Sequence, residues 1–194
     1  MDQELLERLE LIERMVSQGR RTTQYWGWSF VLWGAGQLIA LGWSLFLGHS
    51  EIAWPVTMIT CGILTGIGSA RMRKQEGAET IISRALGSIW GSCGTAIFFL
   101  GLIGTSTRFF SFRAFMVVLF ALMGIANMSS GIILRWRTQQ VLGAIWWAGA
   151  IMLMFVSDKT ALWLFIAMTL VAELLFGIYL MIREKADLRH ARTA

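Results

Sequence analysis

Long apolar stretches alternate with short polar ones between Tyr25 and Ile182. Six of these stretches are about twenty residues long, the length at which a helix crosses a hydrocarbon core of about 30 Å. The pattern therefore predicts an all-α, polytopic membrane protein whose surroundings are a lipid bilayer. The six predicted transmembrane helices cover residues 25–47, 52–70, 85–104, 114–134, 138–156 and 160–182.

A different pattern precedes the first apolar stretch. Leu5, Leu9, Ile12 and Val16 recur at spacings of four, three and four residues, and this periodicity predicts an amphipathic helix. Its apolar seam spans only two heptads, too few for a stable coiled coil by itself. The helix has three possible roles: docking at the membrane interface, packing on the loops of its own chain, or binding a second copy or a partner protein through residues 2–18.

Three regions follow from these patterns. We predict a cytosolic amphipathic helix over residues 1–22, a six-helix transmembrane domain over residues 23–183 and a cytosolic basic tail over residues 184–194. Hydrophobic residues make up 56% of the chain and charged residues 15%. This balance favours an integral membrane protein over a soluble domain.

The basic residues indicate how the helices are oriented. Of the 17 Lys and Arg residues, only Arg108, Arg113 and Lys159 lie on the side opposite to the two predicted cytosolic ends. Basic residues near span ends are retained in the cytoplasm. We therefore predict a multi-pass protein of the inner (plasma) membrane with its N-terminus and C-terminus in the cytoplasm. The charges are spread over many span ends and form no single tract, so we expect no nucleic-acid partner.

An internal repeat links the spans in pairs. Trp33, Trp90 and Trp146 stand beside small residues in spans one, three and five. In spans two, four and six, a small or polar residue is followed four positions later by a glycine and then by arginine. These pairs are Gly62 with Gly66, Asn127 with Gly131, and Glu173 with Gly177. Such a pattern predicts three helical hairpins of the same orientation, related as parallel repeats.

Small residues and tryptophans suggest how the helices associate. Helices in lipid pack where glycine lets two backbones approach closely, which also makes a homo-oligomer possible. The predicted packing glycines are Gly62, Gly66, Gly87, Gly91, Gly131 and Gly177. Trp33, Trp90 and Trp146 have two interpretations: they line a cavity, or they pack between helices beside the glycines.

Glu173 is the one ionisable residue predicted deep inside a span, ten residues before Arg183 and so about 15 Å from the span end. A carboxyl group at that depth is costly and normally faces protein or water. The repeat places Asn127 at a similar depth, and Gln37 also lies near the middle of its span. We expect these residues to form a polar cluster. It either binds a proton, a cation or a small polar solute, or only joins helices by hydrogen bonds.

Recognisable enzyme chemistry is lacking. His49 and His190 fall outside the predicted spans, and Cys61 and Cys93 have no nearby histidine or carboxylate in the sequence. We therefore expect no catalytic residues, no metal and no cofactor. The function predicted is that of a small non-enzymatic transporter, channel or sensor for a proton, a cation or a small polar solute. The alternative is an accessory or regulatory membrane subunit that binds a partner through its N-terminal helix and cytosolic loops.

Overall fold

The computed structural model describes residues 26–73, 81–107, 109 and 111–193, and within them it contains helices and short turns but no strand. The first five helices are α1 (Gly27–Leu47), α2 (Ser50–Arg73), α3 (Ile81–Ser106), α4 (Phe112–Ile133) and α5 (Arg137–Phe155). The sixth span comprises α6 (Asp158–Met168), a π-helical segment π1 (Thr169–Leu175) and α7 (Phe176–Thr193).

Six of the described helical stretches are long and apolar enough to cross a membrane, which confirms the predicted number of spans. The third begins at Ile81, four residues before the predicted start, and the others begin and end within two residues of the prediction. Helices satisfy their own backbone hydrogen bonds, as a span surrounded by lipid must. The predicted N-terminal helix over residues 1–22 lies outside the described residues.

Polar residues at the turns mark where several spans begin and end. Ser111 caps α4 by accepting a hydrogen bond from the backbone N–H of Ala114, and Ser157 caps α6 in the same way through Thr160. Each serine satisfies one of the N–H groups that a helix start leaves unpaired. Gly48 ends α1 with a φ of 72°, in the left-handed region that glycine adopts without a steric cost.

Helices α4 and α5 form the most closely packed hairpin. The turn between them includes Arg135, whose φ is 48°. Its geometry is held by Gly131, whose carbonyl oxygen accepts the backbone N–H of Trp136 at 2.8 Å and the side-chain amide of Gln140 at 3.0 Å. A Cβ atom at Gly143 would lie 2.7 Å from the backbone nitrogen of Met128. The two backbones approach this closely only because glycine stands there.

The remaining spans assemble around this hairpin and the sixth span. Helix α1 packs against α2 on one side and against π1 and α7 on the other, while α3 joins the bundle mainly through α4. Aromatic rings fill the interior. Phe120 contacts Trp146 edge to face, with 4.8 Å between ring centroids, and Phe30 contacts Phe176 in the same way at 5.5 Å. Both arrangements are favourable for aromatic pairs.

Helices α2 and α3 form the most exposed part of the bundle. Among the side chains that the structure describes, α2 buries only Ala53 and Cys61, and α3 buries only Leu86, Cys93 and Gly104. The remaining surface of these two helices is intermediate or exposed. Because the exposed side chains are mostly apolar, this surface suits contact with lipid or with another helix.

Candidate functional site

Glu173 lies in the interior of the bundle and belongs to the π-helical segment π1. Its side chain is 1% exposed, and both carboxylate oxygens accept hydrogen bonds from the Nε2 atom of Gln37, at 3.0 and 2.9 Å. No ion pair among the described residues includes Glu173. A neutral amide therefore supplies the hydrogen bonds to this buried acid.

Thr169 completes the polar group around the acid. Its hydroxyl donates a hydrogen bond of 3.3 Å to the Oε1 atom of Gln37, so that every polar atom of the glutamine side chain has a partner. All three side chains are buried. We refer to Gln37, Thr169 and Glu173 as the carboxyl cluster. The cluster links α1 to π1 near the middle of both spans.

Glycine on α1 makes this contact possible. A Cβ atom at Gly34 would lie 3.1 Å from the Cβ atom of Glu173 and 3.3 Å from its Oε2 atom. Seven residues, or about two turns, before Gly34 on α1, a Cβ atom at Gly27 would lie 2.9 Å from the carbonyl oxygen of Gly177. Helix α1 therefore lies close against the sixth span at two levels, and the carboxyl group of Glu173 fits beside Gly34.

Asn127 does not join the carboxyl cluster by hydrogen bonds. Its Nδ2 atom donates to the carbonyl oxygen of Met123, one turn earlier on the same helix, at 2.9 Å. Its Oδ1 atom is buried and has no hydrogen-bond partner among the described residues. Of the three polar residues expected to meet, the structure joins Gln37 and Glu173 and leaves Asn127 bonded within α4.

Thr169 was missing from the residues predicted for this cluster, although the sequence contains a signal for it. Thr169 precedes Glu173 by four residues, and residues four apart share a face of a helix. The hydroxyl proton of Thr169 is used in the hydrogen bond to Gln37. Thr169 therefore fixes the side-chain amide of Gln37, which in turn donates the hydrogen bonds to Glu173.

The three repeated tryptophans differ in their hydrogen bonds. The indole nitrogen of Trp33 donates to the hydroxyl of Thr65 at 3.0 Å, and that of Trp90 donates to the hydroxyl of Ser130 at 3.0 Å. Each bond joins the two helices of one predicted hairpin. Trp146 is completely buried, and its indole nitrogen has no hydrogen-bond partner in the part of the chain that the structure describes. Trp33 therefore bonds α1 to α2, and Trp90 bonds α3 to α4. A cavity lined by these rings stays a prediction.

The predicted packing glycines fall into two groups. Gly131 and Gly177 lie at close contacts between helices of this chain: a Cβ atom at either would stand within 2.8 Å of a neighbouring atom. The other four have no atom of a described residue within 4 Å of the Cβ position. They are Gly62 and Gly66 on α2 and Gly87 and Gly91 on α3. A packing role for these four, which we call the open glycines, requires a partner beyond the described residues and stays a prediction.

The two cysteines take no part in the hydrogen bonds of the carboxyl cluster. Cys61 is buried, with its Sγ atom 3.7 Å from the carbonyl oxygen of Leu32, and Cys93 is buried on α3. Within the described part of the chain, no group of three or more His, Cys, Asp or Glu residues is placed to hold a metal ion.

Comparison with known proteins gives no match: no family model fits the chain, and none of the curated proteins or solved structures is significantly similar to it.

Proposed function

We propose that this multi-pass membrane protein binds and releases a proton at Glu173, as part of a proton-responsive transporter or sensor. The observation that carries the proposal is the buried carboxyl group itself, held by one neutral amide donor from Gln37. An ionisable group at this depth is expensive to maintain and is a functional candidate for that reason.

A proton suits this cluster better than a metal cation does. Both carboxylate oxygens of Glu173 accept hydrogen bonds from the N–H donor of Gln37, and the hydroxyl of Thr169 is directed at the same amide. Cations prefer a shell of oxygen acceptors. A proton needs only one lone pair of the carboxyl group and no further ligands.

The hydrogen bonds of the cluster support two complementary states. With Glu173 ionised, the Nε2 atom of Gln37 donates to the carboxylate, and the hydroxyl of Thr169 donates to the Oε1 atom. After protonation, the carboxyl O–H can donate to Oε1 if the amide turns over, and Nε2 can then donate to the threonine oxygen. The side-chain amide of Gln37 and the hydroxyl of Thr169 keep partners in both states, because a hydroxyl both donates and accepts. The orientation of the Gln37 amide therefore depends on whether Glu173 is protonated.

The carboxyl group that exchanges the proton lies in a π-helical segment. Single π-turns within α-helices are frequent at functional sites, where they place a side chain out of the regular helical phase. Glu173 and Thr169 both belong to π1. We propose that the proton state of Glu173 biases the local conformation of this segment and, through α7, the end of the bundle that carries Arg183.

The orientation of the protein belongs to the same proposal. The excess of basic residues on the side of the termini favours a cytoplasmic location for both ends, in the plasma membrane. Glu173 would then lie about 15 Å from the cytoplasmic end of the span that ends at Arg183.

Infrared difference spectroscopy tests the proposal directly. The protein in lipid nanodiscs is titrated, and the carbonyl stretch of a protonated carboxyl group is followed as pH falls. We expect a band that Glu173→Gln removes and Glu51→Gln retains, because Glu51 lies on the exposed surface at the start of α2. In proteoliposomes with an internal pH dye, wild-type protein should take up protons and Glu173→Gln should not. Equal behaviour of wild type and Glu173→Gln in both assays would contradict the proposal.

A second candidate function rests on the open glycines. Exposed glycines four residues apart are typical of helix faces that associate in lipid, and both α2 and α3 carry such a pair. The alternative is therefore an accessory or regulatory subunit, or a homo-oligomer, that meets a second chain at this surface. Residues 2–18 offer a further, cytosolic contact for a partner protein.

Two measurements separate the candidates. Native mass spectrometry from nanodiscs gives the oligomeric state of wild type, of Gly62→Leu with Gly66→Leu, and of the control Gly42→Leu. Gly42 also has no atom near its Cβ position but lies on α1. A complex lost only in the α2 variant supports association through this surface. Purification from native membranes, with and without residues 2–18, shows whether a second protein remains bound.

A further inference from the structure

The third predicted hairpin lacks the hydroxyl that the first two provide. Thr65 and Ser130 accept the indole N–H groups of Trp33 and Trp90, and each stands directly before a glycine of the even-span pattern. The corresponding position before Gly177 is Phe176. Phe176 packs its ring against other aromatic rings and offers no acceptor. Trp146, the third repeated tryptophan, has no hydrogen-bond partner for its indole N–H among the described residues.

Trp146 shares this property with two neighbouring side chains. Asn127 has an unpaired Oδ1 atom, and Gln139 has neither a donor nor an acceptor for its side-chain amide. All three residues are completely buried. Buried polar groups are nearly always hydrogen-bonded, to protein or to ordered water. We refer to Asn127, Gln139 and Trp146 as the polar seam.

The packing of α4 on α5 brings the seam to one side of that hairpin. Gln139 and Trp146 are seven residues apart and share a stripe of α5, while Phe120 and Asn127 share a stripe of α4 at the same spacing. The rings of Phe120 and Trp146 touch, so the two stripes face each other. Because Gly143 packs on the backbone of Met128, Asn127 lies at a level between Gln139 and Trp146.

The free atoms of the seam define the chemistry of what it can hold. The indole N–H of Trp146 and the Nε2 atom of Gln139 are donors, and the oxygens of Gln139 and Asn127 are acceptors. None of these groups carries a charge. An anion would meet the two acceptors and a cation would meet the two donors, so a neutral molecule with both functions fits best.

We propose that the polar seam between α4 and α5 binds a small neutral molecule that both donates and accepts hydrogen bonds, of which water is the smallest. This site is separate from the carboxyl cluster: it uses no ionisable group, and it lies on the α4–α5 hairpin instead of on α1 and π1. In the first two hairpins a protein hydroxyl group accepts the indole N–H of the repeated tryptophan, and in the third the bound molecule supplies the acceptor.

Nuclear magnetic resonance of the full chain in lipid nanodiscs tests this site. Tryptophan side chains are labelled with ¹⁵N, and cross-relaxation between water and each indole N–H is measured. We expect a water cross-peak at Trp146 and none at Trp33 or Trp90, whose N–H groups are bonded to Thr65 and Ser130. The variant Trp146→Phe assigns the resonance by removing it.

A second variant keeps Trp146 as the reporter. Asn127→Leu removes an acceptor of the seam without changing any tryptophan, and we expect the Trp146 cross-peak to be lost. Urea and glycerol serve as larger neutral probes. A shift of the Trp146 resonance with loss of its water cross-peak identifies a solute site, and an unchanged cross-peak identifies a site for water alone. The proposal is overturned if Trp146 shows no water cross-peak and no shift with either probe, or if Asn127→Leu leaves the cross-peak unchanged.

Discussion

Glycine has opposite surroundings in two regions of this protein. At the contact of α1 with the sixth span, Gly34 and Gly177 face atoms about 3 Å from where a Cβ would stand, whereas Gly62 and Gly91 on α2 and α3 face nothing within 4 Å. The residue type is the same in both regions. The difference shows that a glycine pattern indicates a surface able to pack closely and leaves open whether the partner belongs to the same chain.

The largest effect should come from filling a closed glycine. In Gly177→Ala the new methyl group would lie 2.8 Å from the carbonyl oxygen of Gly27 and from Val31, and we expect a loss of about 1–3 kcal/mol through overpacking. The matched change Gly62→Ala meets no atom and should be neutral or stabilise the helix by about 0.5–1 kcal/mol. Reversible unfolding in mixed micelles measures both values. Equal losses in the two variants would remove the distinction between the regions.

The next effect concerns the acid that the closed contact buries. Gln37→Leu leaves the carboxyl group of Glu173 without its donor, and we expect destabilisation by about 1–3 kcal/mol. The double variant Gln37→Leu with Glu173→Leu should recover most of this loss, because replacing both partners by apolar groups is often nearly neutral. The same unfolding assay gives the coupling energy. A double variant as unstable as the sum of the two single variants would show that the hydrogen bonds contribute little.

A smaller effect is expected where α2 meets α1. Thr65→Val removes the acceptor of the Trp33 indole at nearly constant volume, and hydrogen bonds between membrane helices contribute about 0.6 kcal/mol on average. Thr60→Val is the control, since Thr60 bonds only to the backbone of its own helix and is exposed. Stability should fall in the first variant and stay constant in the second. A greater loss at Thr60 would mean that α2 is held by something other than the hydrogen bond to Trp33.

The sequence predicted the parts of the fold that lipid imposes. Six spans follow from apolar length alone, and the depths of Gln37 and Glu173 follow from their distance to the span ends. Lateral arrangement does not follow in the same way, because many helix orders satisfy the same hydropathy. Asn127 lies in a span as predicted, yet it bonds to Met123 of its own helix and not to the acid.

Some features of the site escape any pattern of single residues. The π-helical segment lies where the sixth span packs against α1, and no spacing of residues in the sequence marks it. Thr169 becomes part of the cluster because this segment directs it toward Gln37. The unpaired indole of Trp146 is visible only after the acceptors of Trp33 and Trp90 are known.

The π-helical segment also lets one span serve two sets of neighbours. A π-turn holds one more residue than an α-turn, so the helical phase changes between Met168 and Phe176. Phe165, before the change, packs against Phe120, while Glu173 turns toward α1. Deleting one residue of π1 would restore a uniform helical phase and rotate one half of the span about its axis relative to the other half. The direction of the Glu173 side chain in the middle of this membrane protein thus depends on the one extra residue of the π-turn.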